Sequence, residues 1–194
     1  MSEVLSASVV PASDARGAPV PRKARLWGGA ARICLYTPSA DPSGLGAHLL
    51  DLAAEYVGCA EVSVMCRATE GGQGVLDRAA ALGARTLPLP RPRDPSFAEV
   101  VTRFLQEHPV DLFHCHVGIG WENWDGVRAA RRAGVPAVVQ TQHLPFLLSS
   151  PGKRAGFLRA IEPVDRLLAV SEGLRGTYER IGVPSGRFAT VPNG

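Results

Sequence analysis

Lysine is nearly missing. Of 21 basic residues only Lys23 and Lys153 are lysines, so no lysine cluster exists to grip phosphate as a set of point charges. No apolar run approaches the roughly 20 residues that a membrane span needs. The four cysteines (Cys34, Cys59, Cys66 and Cys115) form no CxxC pair and follow no secretory signal. They read as buried, reduced thiols of a cytosolic protein. A net charge of +3 is too small to call for nucleic acid or an acidic membrane. G-x-S-x-G, a P-loop and a DNA-reading helix pair are absent as well.

What is present is an alternating pattern. The first stretch, up to about residue 30, is rich in Ala, Ser and Pro and reads as a disordered leader. Residues 31–194 then switch between short apolar strands and amphipathic helices: "RICLYT", "EVSVMCR", "ARTLPLP", "DLFHCHVG", "VPAVVQTQH", "DRLLAV" and "RFATV" as strands, with helices between them. The spacing predicts α/β architecture, a doubly wound, mostly parallel sheet of about seven strands. "ARTLPLP", marked by proline, belongs at a sheet edge. Leu49, Leu50, Ala53, Ala54 and Val57 form the inward stripe of the first helix, which Gly58 stops, while Asp94, Ser150 and Ser171 read as helix caps. The arginines Arg128, Arg131 and Arg132 read as a solvated helix face.

In open parallel sheets ligands sit beyond the carboxyl ends of the strands, where the strand order reverses. That rule selects the "PSADPSGLG" loop, residues 116–124, residues 142–148 and Ser171. Gly44 and Gly46 permit close backbone approach at a helix start, where free N–H groups favour an anion. A dinucleotide fingerprint from Gly44 requires glycine at 49, which is Leu49, and the second strand ends in Arg67 instead of an acid. NADP is therefore a poor fit. Strand alternation puts His114 and His116 on one face. Zinc wants a third and usually a fourth ligand, and His143 is the other histidine after a strand, with no Cys/Asp/Glu cluster to complete a shell. No metal site and no cofactor are expected. His114 reads as a core histidine, while His116, at a strand tip, reads as a pocket residue. His143 reads equally as a substrate-binding group or a surface-loop histidine. Trp121 and Trp124 serve helix packing more often than sugar stacking.

The chain ends in "VPNG", a strong turn signal at Asn193 and Gly194. Taken in order, "SGLGAHLLDLA", "DLFHCH", "VPAVVQTQH" and "AVSEGLRGTYERIGVPSGRFATVPNG" resemble the amino-terminal domain of retaining glycosyltransferases of the GT-B fold, family 4, over about residues 32–194. The last block is the most specific. The resemblance implies a Rossmann-like half of a two-domain enzyme that moves a sugar from a nucleotide sugar to an acceptor with retention, usually without a metal. It implies that Gly44 and Gly46 lie near the donor diphosphate and the acceptor. His143 would contact the transferred sugar and act as the catalytic-side residue, His116 would lie on the acceptor side, and Asn193 and Gly194 would form the interdomain turn. One departure is that the family loop begins Gly-Gly where this chain has Ser43-Gly44.

The donor nucleotide sugar would then be held mainly by a carboxy-terminal domain absent from these residues, and the fragment alone would not be catalytically competent. The acceptor would be a carbohydrate or lipid-linked, nucleic acid would not be a partner, and the bare cleft face would favour self-association. The place would be the cytoplasm or the membrane periphery. Alternatives are a free-standing sugar- or phosphate-binding module, half of a split enzyme, or a nucleotide-sugar epimerase half.

Overall fold

A computed structural model of the chain describes residues 30–39, 43–91, 94–118, 124–146 and 150–192. Residues 1–29 of the expected leader, Trp121, Asn193 and Gly194 lie outside the described residues. Strands and helices alternate throughout: β1 (Ala31–Tyr36), α1 (Ser43–Val57), β2 (Ala60–Arg67), α2 (Glu70–Ala81), β3 (Arg85–Leu89), α3 (Phe97–Glu107), β4 (Leu112–Val117), α4 (Trp124–Arg132), β5 (Ala137–Gln142), α5 (Pro151–Ala160), β6 (Arg166–Ala169), α6 (Glu172–Glu179) and β7 (Phe188–Thr190). The strands form one seven-stranded sheet in the order β3-β2-β1-β4-β5-β6-β7. Every pairing is parallel. This is a doubly wound α/β, Rossmann-like sheet, and the Pro-marked β3 sits at its edge as expected.

Alternation along β1 builds two cores, one on each face. Ile33 and Leu35 pack with Leu49, Leu50 and Ala53 of α1 and with Leu76 and Ala79 of α2. Cys34 and Tyr36 join the other cluster, with Val101 and Phe104 of α3, Val127 and Ala130 of α4, Phe157 of α5 and Tyr178 of α6. The chain order therefore reverses between β1 and β4, with α1 and α2 on one side and α3 to α6 on the other. That reversal opens a crevice at the carboxyl ends of β1 and β4.

One close approach braces it. Gly126, early in α4, lies against the fully buried Tyr36 ring at the end of β1, and a Cβ there would stand 2.2 Å from Tyr36 Cε1. Tyr36 also packs on Phe113, with ring centroids 5.4 Å apart, so it has no free space to retreat into. Gly126→Ala is expected to destabilise the fold by about 1–3 kcal/mol through overpacking. The check is the urea midpoint, and an unchanged midpoint contradicts the packing described.

Several local expectations change. α1 starts at Ser43 and so takes Gly44 into its first turn; Gly44 is not among the described glycines with positive φ, which are Gly83, Gly134 and Gly182, and nothing forces it out of the helix. Gly58 follows α1 without positive φ, whereas the other three end helices in the left-handed region that glycine tolerates. Ala54 points to solvent, because Leu50, Ala53 and Val57 already span the buried arc. Asp94 does not cap α3: its Oδ1 accepts from the Ser96 N–H at 2.9 Å and the Ser96 hydroxyl at 2.6 Å, which makes a local turn before a helix that begins at Phe97. Ser150 and Ser171 do cap their helices, accepting from Lys153 N and Leu174 N. Cys59 is exposed, unlike the other three thiols, since it sits in the turn after α1. Arg131 is only partly solvated. It pairs with Asp165 at 2.5 Å and donates to the Pro163 carbonyl at 2.8 Å, tying α4 to the start of β6.

A histidine cluster at the carboxyl edge of the sheet

β4 delivers two histidines to the face covered by α1, because His114 and His116 alternate with the oppositely directed Phe113 and Cys115. Their environments differ. His114 Nε2 lies 2.8 Å from Thr141 Oγ1 of the neighbouring strand, so its polarity is satisfied inside the sheet. His116, fully buried one pleat nearer the edge, has its Nδ1 3.3 Å from His143 Nε2, while its Nε2 has no hydrogen-bond partner among the described residues. The two rings of β4 stack, with centroids 4.1 Å apart.

His143 is the first residue past β5, and its backbone continues the sheet. Its N–H donates to the Val117 carbonyl, and Leu144 N–H donates to the Gly118 carbonyl, each at 3.0 Å. Tyr178 of α6 adds a clamp, its hydroxyl lying 2.9 Å from Gln142 Oε1 and 2.8 Å from the Leu144 carbonyl. The backbone that carries His143 is thus held from both sides of one short turn. Tyr178→Phe is expected to cost about 1 kcal/mol of stability, the net worth of such a hydrogen bond. It should also speed amide exchange at His143 and Leu144, read by hydrogen–deuterium exchange. Unchanged exchange would mean that the clamp does not hold this turn.

A third ring closes the group. His48, in the second turn of α1, lies with its ring centroid 5.6 Å from His116 and 5.1 Å from His143. One ligand nitrogen from each of His48, His116 and His143 falls within 4.8 Å of the others. Burial is the main cause that lowers the pKa of His114 and of His143, each to about 4, with the neighbouring imidazoles adding to it. Burial and the same neighbours push His116 well below the usual histidine value. No carboxylate contributes to any of these shifts. His116 and His143 are therefore neutral near pH 7. They can donate and accept hydrogen bonds but bring no positive charge to an anion.

The expected site residues separate clearly. His116 and His143 come together, joined by a direct ring contact. Gly44 and Gly46 stand in the first turn of α1, one turn before His48 on the same helix. Gly44 is exposed, and a Cβ on it would meet nothing within 4 Å. Asn193 and Gly194 fall outside the described residues. His114, which alternation pairs with His116, is turned to Thr141 instead. His48 was not foreseen, since it follows no strand; the helix periodicity of "GLGAHLL", which puts it one turn beyond Gly44, is the signal that finds it. His48 adds a third imidazole, from a helix, beside His116 and His143.

A larger surface concavity of about 530 Å³ opens by Pro95, Glu99, Arg103 and Arg132. Its lining comes from exposed helix backs, and the carboxyl edge holds the perturbed groups. Chemistry places the candidate site at the edge. A basic recess of about 410 Å³ lined by Arg67, Thr69, Leu89 and Arg91 lies at the ends of β2 and β3. No helix among the described residues is long and apolar enough to cross a membrane.

Residues 43–194 match the family described as the glycosyl transferase 4-like domain. No curated protein matches the chain. Among solved structures, HepE from Anabaena in complex with UDP is similar at 16% identity and a TM-score of 0.65, over 84% of this chain and 44% of that one. A glycosyltransferase from Rickettsia africae aligns at 10% identity and a TM-score of 0.70, over 87% and 44%. A UDP-N-acetylglucosamine 2-epimerase aligns at 14% identity and a TM-score of 0.52, over 82% and 45%. The chain spans less than half the length of these structural relatives, and at such identities they establish the shared fold, half of a GT-B arrangement.

Proposed function

The chain belongs to the glycosyl transferase 4-like domain family, and from that premise we propose that it is the acceptor-side half of a retaining glycosyltransferase. The transfer runs from a nucleotide sugar to a carbohydrate or lipid-linked acceptor, in the cytoplasm or at the membrane face. His143 contacts the transferred sugar, His116 lies on the acceptor side, and Gly44 and Gly46 let the first turn of α1 approach the diphosphate and the acceptor. The HepE structures, one with UDP and one with UDP-glucose, support a nucleotide-sugar donor. The observation that carries the reading is the family match over residues 43–194, laid on a sheet whose carboxyl edge gathers His116, His143 and the first turn of α1.

The electrostatics refine it. A leaving diphosphate needs N–H groups and cations as its charge develops. The α1 start offers N–H groups, but His116 and His143 are neutral. On this reading the cations that complete the site come from the second domain of the GT-B arrangement. Self-association through the bare edge follows where that domain is lacking.

The experiment is a titration of the 194-residue chain with simple glycosides, nucleotide sugars and nucleotides, in parallel with Gly44→Val and His143→Ala. Glycoside binding that both variants weaken supports the reading. Gly44→Val is informative because its side chain would project into open space, so a loss of binding reports on the ligand and not on the fold. Strong binding that neither variant changes sinks the site assignment. The epimerase likeness favours a second reading, and conversion of a nucleotide sugar to its epimer without an acceptor would put it first.

A further inference from the structure

We propose that His48, His116 and His143 bind one late first-row divalent metal ion, zinc above others, with its fourth coordination position open to the carboxyl edge. A four-coordinate zinc ion with Zn–N bonds of about 2.0–2.1 Å has ligand-to-ligand edges of roughly 3.3–3.4 Å. His116 Nδ1 and His143 Nε2 are 3.3 Å apart, already the length of one such edge. One nitrogen from each of the three rings lies within 4.8 Å of the others, and His48 is only partly buried on a helix surface, where its side chain has rotamers to draw on.

The donor set selects the ion. Three imidazoles without a carboxylate or thiolate suit zinc, nickel or copper, and do not suit magnesium or calcium, which require oxygen ligands. The scaffold is firm where it matters. His116 ends a central strand, and His143 is fixed by the Val117 and Gly118 carbonyl pairing of its turn, so two of three ligands need no ordering. His116 is also fully buried, and its ring packs on three other imidazoles, those of His48, His114 and His143. An ion at the shared focus takes the place of the contact between His116 Nδ1 and His143 Nε2 and leaves His116 Nε2 as it stands. Three protein ligands leave one position for water or an anionic oxygen.

This inference shares His116 and His143 with the sugar-transfer reading but is tested apart from it, because its readouts are stoichiometry and affinity for a metal alone. The test uses the 194-residue chain with any affinity tag removed, stripped with chelator, and titrated with zinc by calorimetry and with cobalt(II) by visible absorption. The expected result is one ion per chain and the intense band of four-coordinate cobalt. Affinity should fall at least about 100-fold in both His48→Ala and His143→Ala, a loss larger than outer-shell changes produce, and should not change in His108→Ala. His108 packs on Phe104 away from the cluster, and His48, partly exposed on its helix, can be removed without opening a core cavity. Binding below one equivalent, an octahedral cobalt spectrum, or an affinity unchanged in His48→Ala overturns the proposal.

Discussion

Acidification from about pH 7.5 to about pH 4.5 is expected to remove several kcal/mol of folding stability, most of it through His114 and His116. Both rings are buried in the sheet, and burial holds His114 at about 4 against an ordinary value near 6.5. A histidine whose folded pKa is lowered binds fewer protons folded than unfolded. Its contribution is therefore complete above the unfolded value and is lost as pH falls from about 6.5 toward the folded pKa. For His114 alone the full loss is of order 3 kcal/mol. His116 shifts in the same direction, and His143 adds a smaller part because water still reaches its ring. Among the described residues the titratable neighbours of these rings are His48 on α1 and each other, and no carboxylate there offsets the charge as it appears. Urea midpoints of chelator-treated protein should fall steadily through this window. In His114→Gln, which keeps a polar group for Thr141 and does not titrate, the decline should flatten. A midpoint that is level between pH 7.5 and 5 contradicts the buried, neutral state of the cluster.

His143→Ala is expected to slow sugar transfer by at least about 100-fold in the enzyme that carries this domain, within the range that a positioned polar group supplies. The ring projects from a turn whose geometry is set by backbone hydrogen bonds and by Tyr178, not by the imidazole, so the variant should fold as the parent does. The loss should then fall on turnover, with donor affinity nearly unchanged, because the proposed second domain grips the donor. An equal rate in parent and variant would remove His143 from the chemistry. A rise in donor KM at constant kcat would move it to ground-state binding.

How much of this could be read in the sequence depended on where each signal resides. Strand and helix alternation is a property of successive residues, and all seven strands of the sheet were legible from it, as was the edge position of β3 from Pro88 and Pro90. His116 and His143 were legible because each follows or ends a strand, and the edge rule applies to strands. His48 was hidden for the converse reason: the helix period places it one turn beyond Gly44, but that this helix lies across the face and brings it to the edge is a tertiary fact. The α3 boundary was missed because Asp94 has two ways to satisfy nearby N–H groups, and Ser96 completes the turn before the helix starts. Ala54 was misplaced by a stripe drawn one residue too wide. Cys59 was grouped with its buried relatives because thiol burial depends on what covers a turn.

The most direct test of the central account follows the histidine ring signals of the 194-residue chain by NMR as a simple glycoside, and then a nucleotide sugar, is added. The account predicts that the His143 and His116 signals move together with saturation, that His108 stays still, and that Gly44→Val weakens the effect. Ring signals that do not respond to any sugar, or that respond equally at His108, would contradict an acceptor site at this edge.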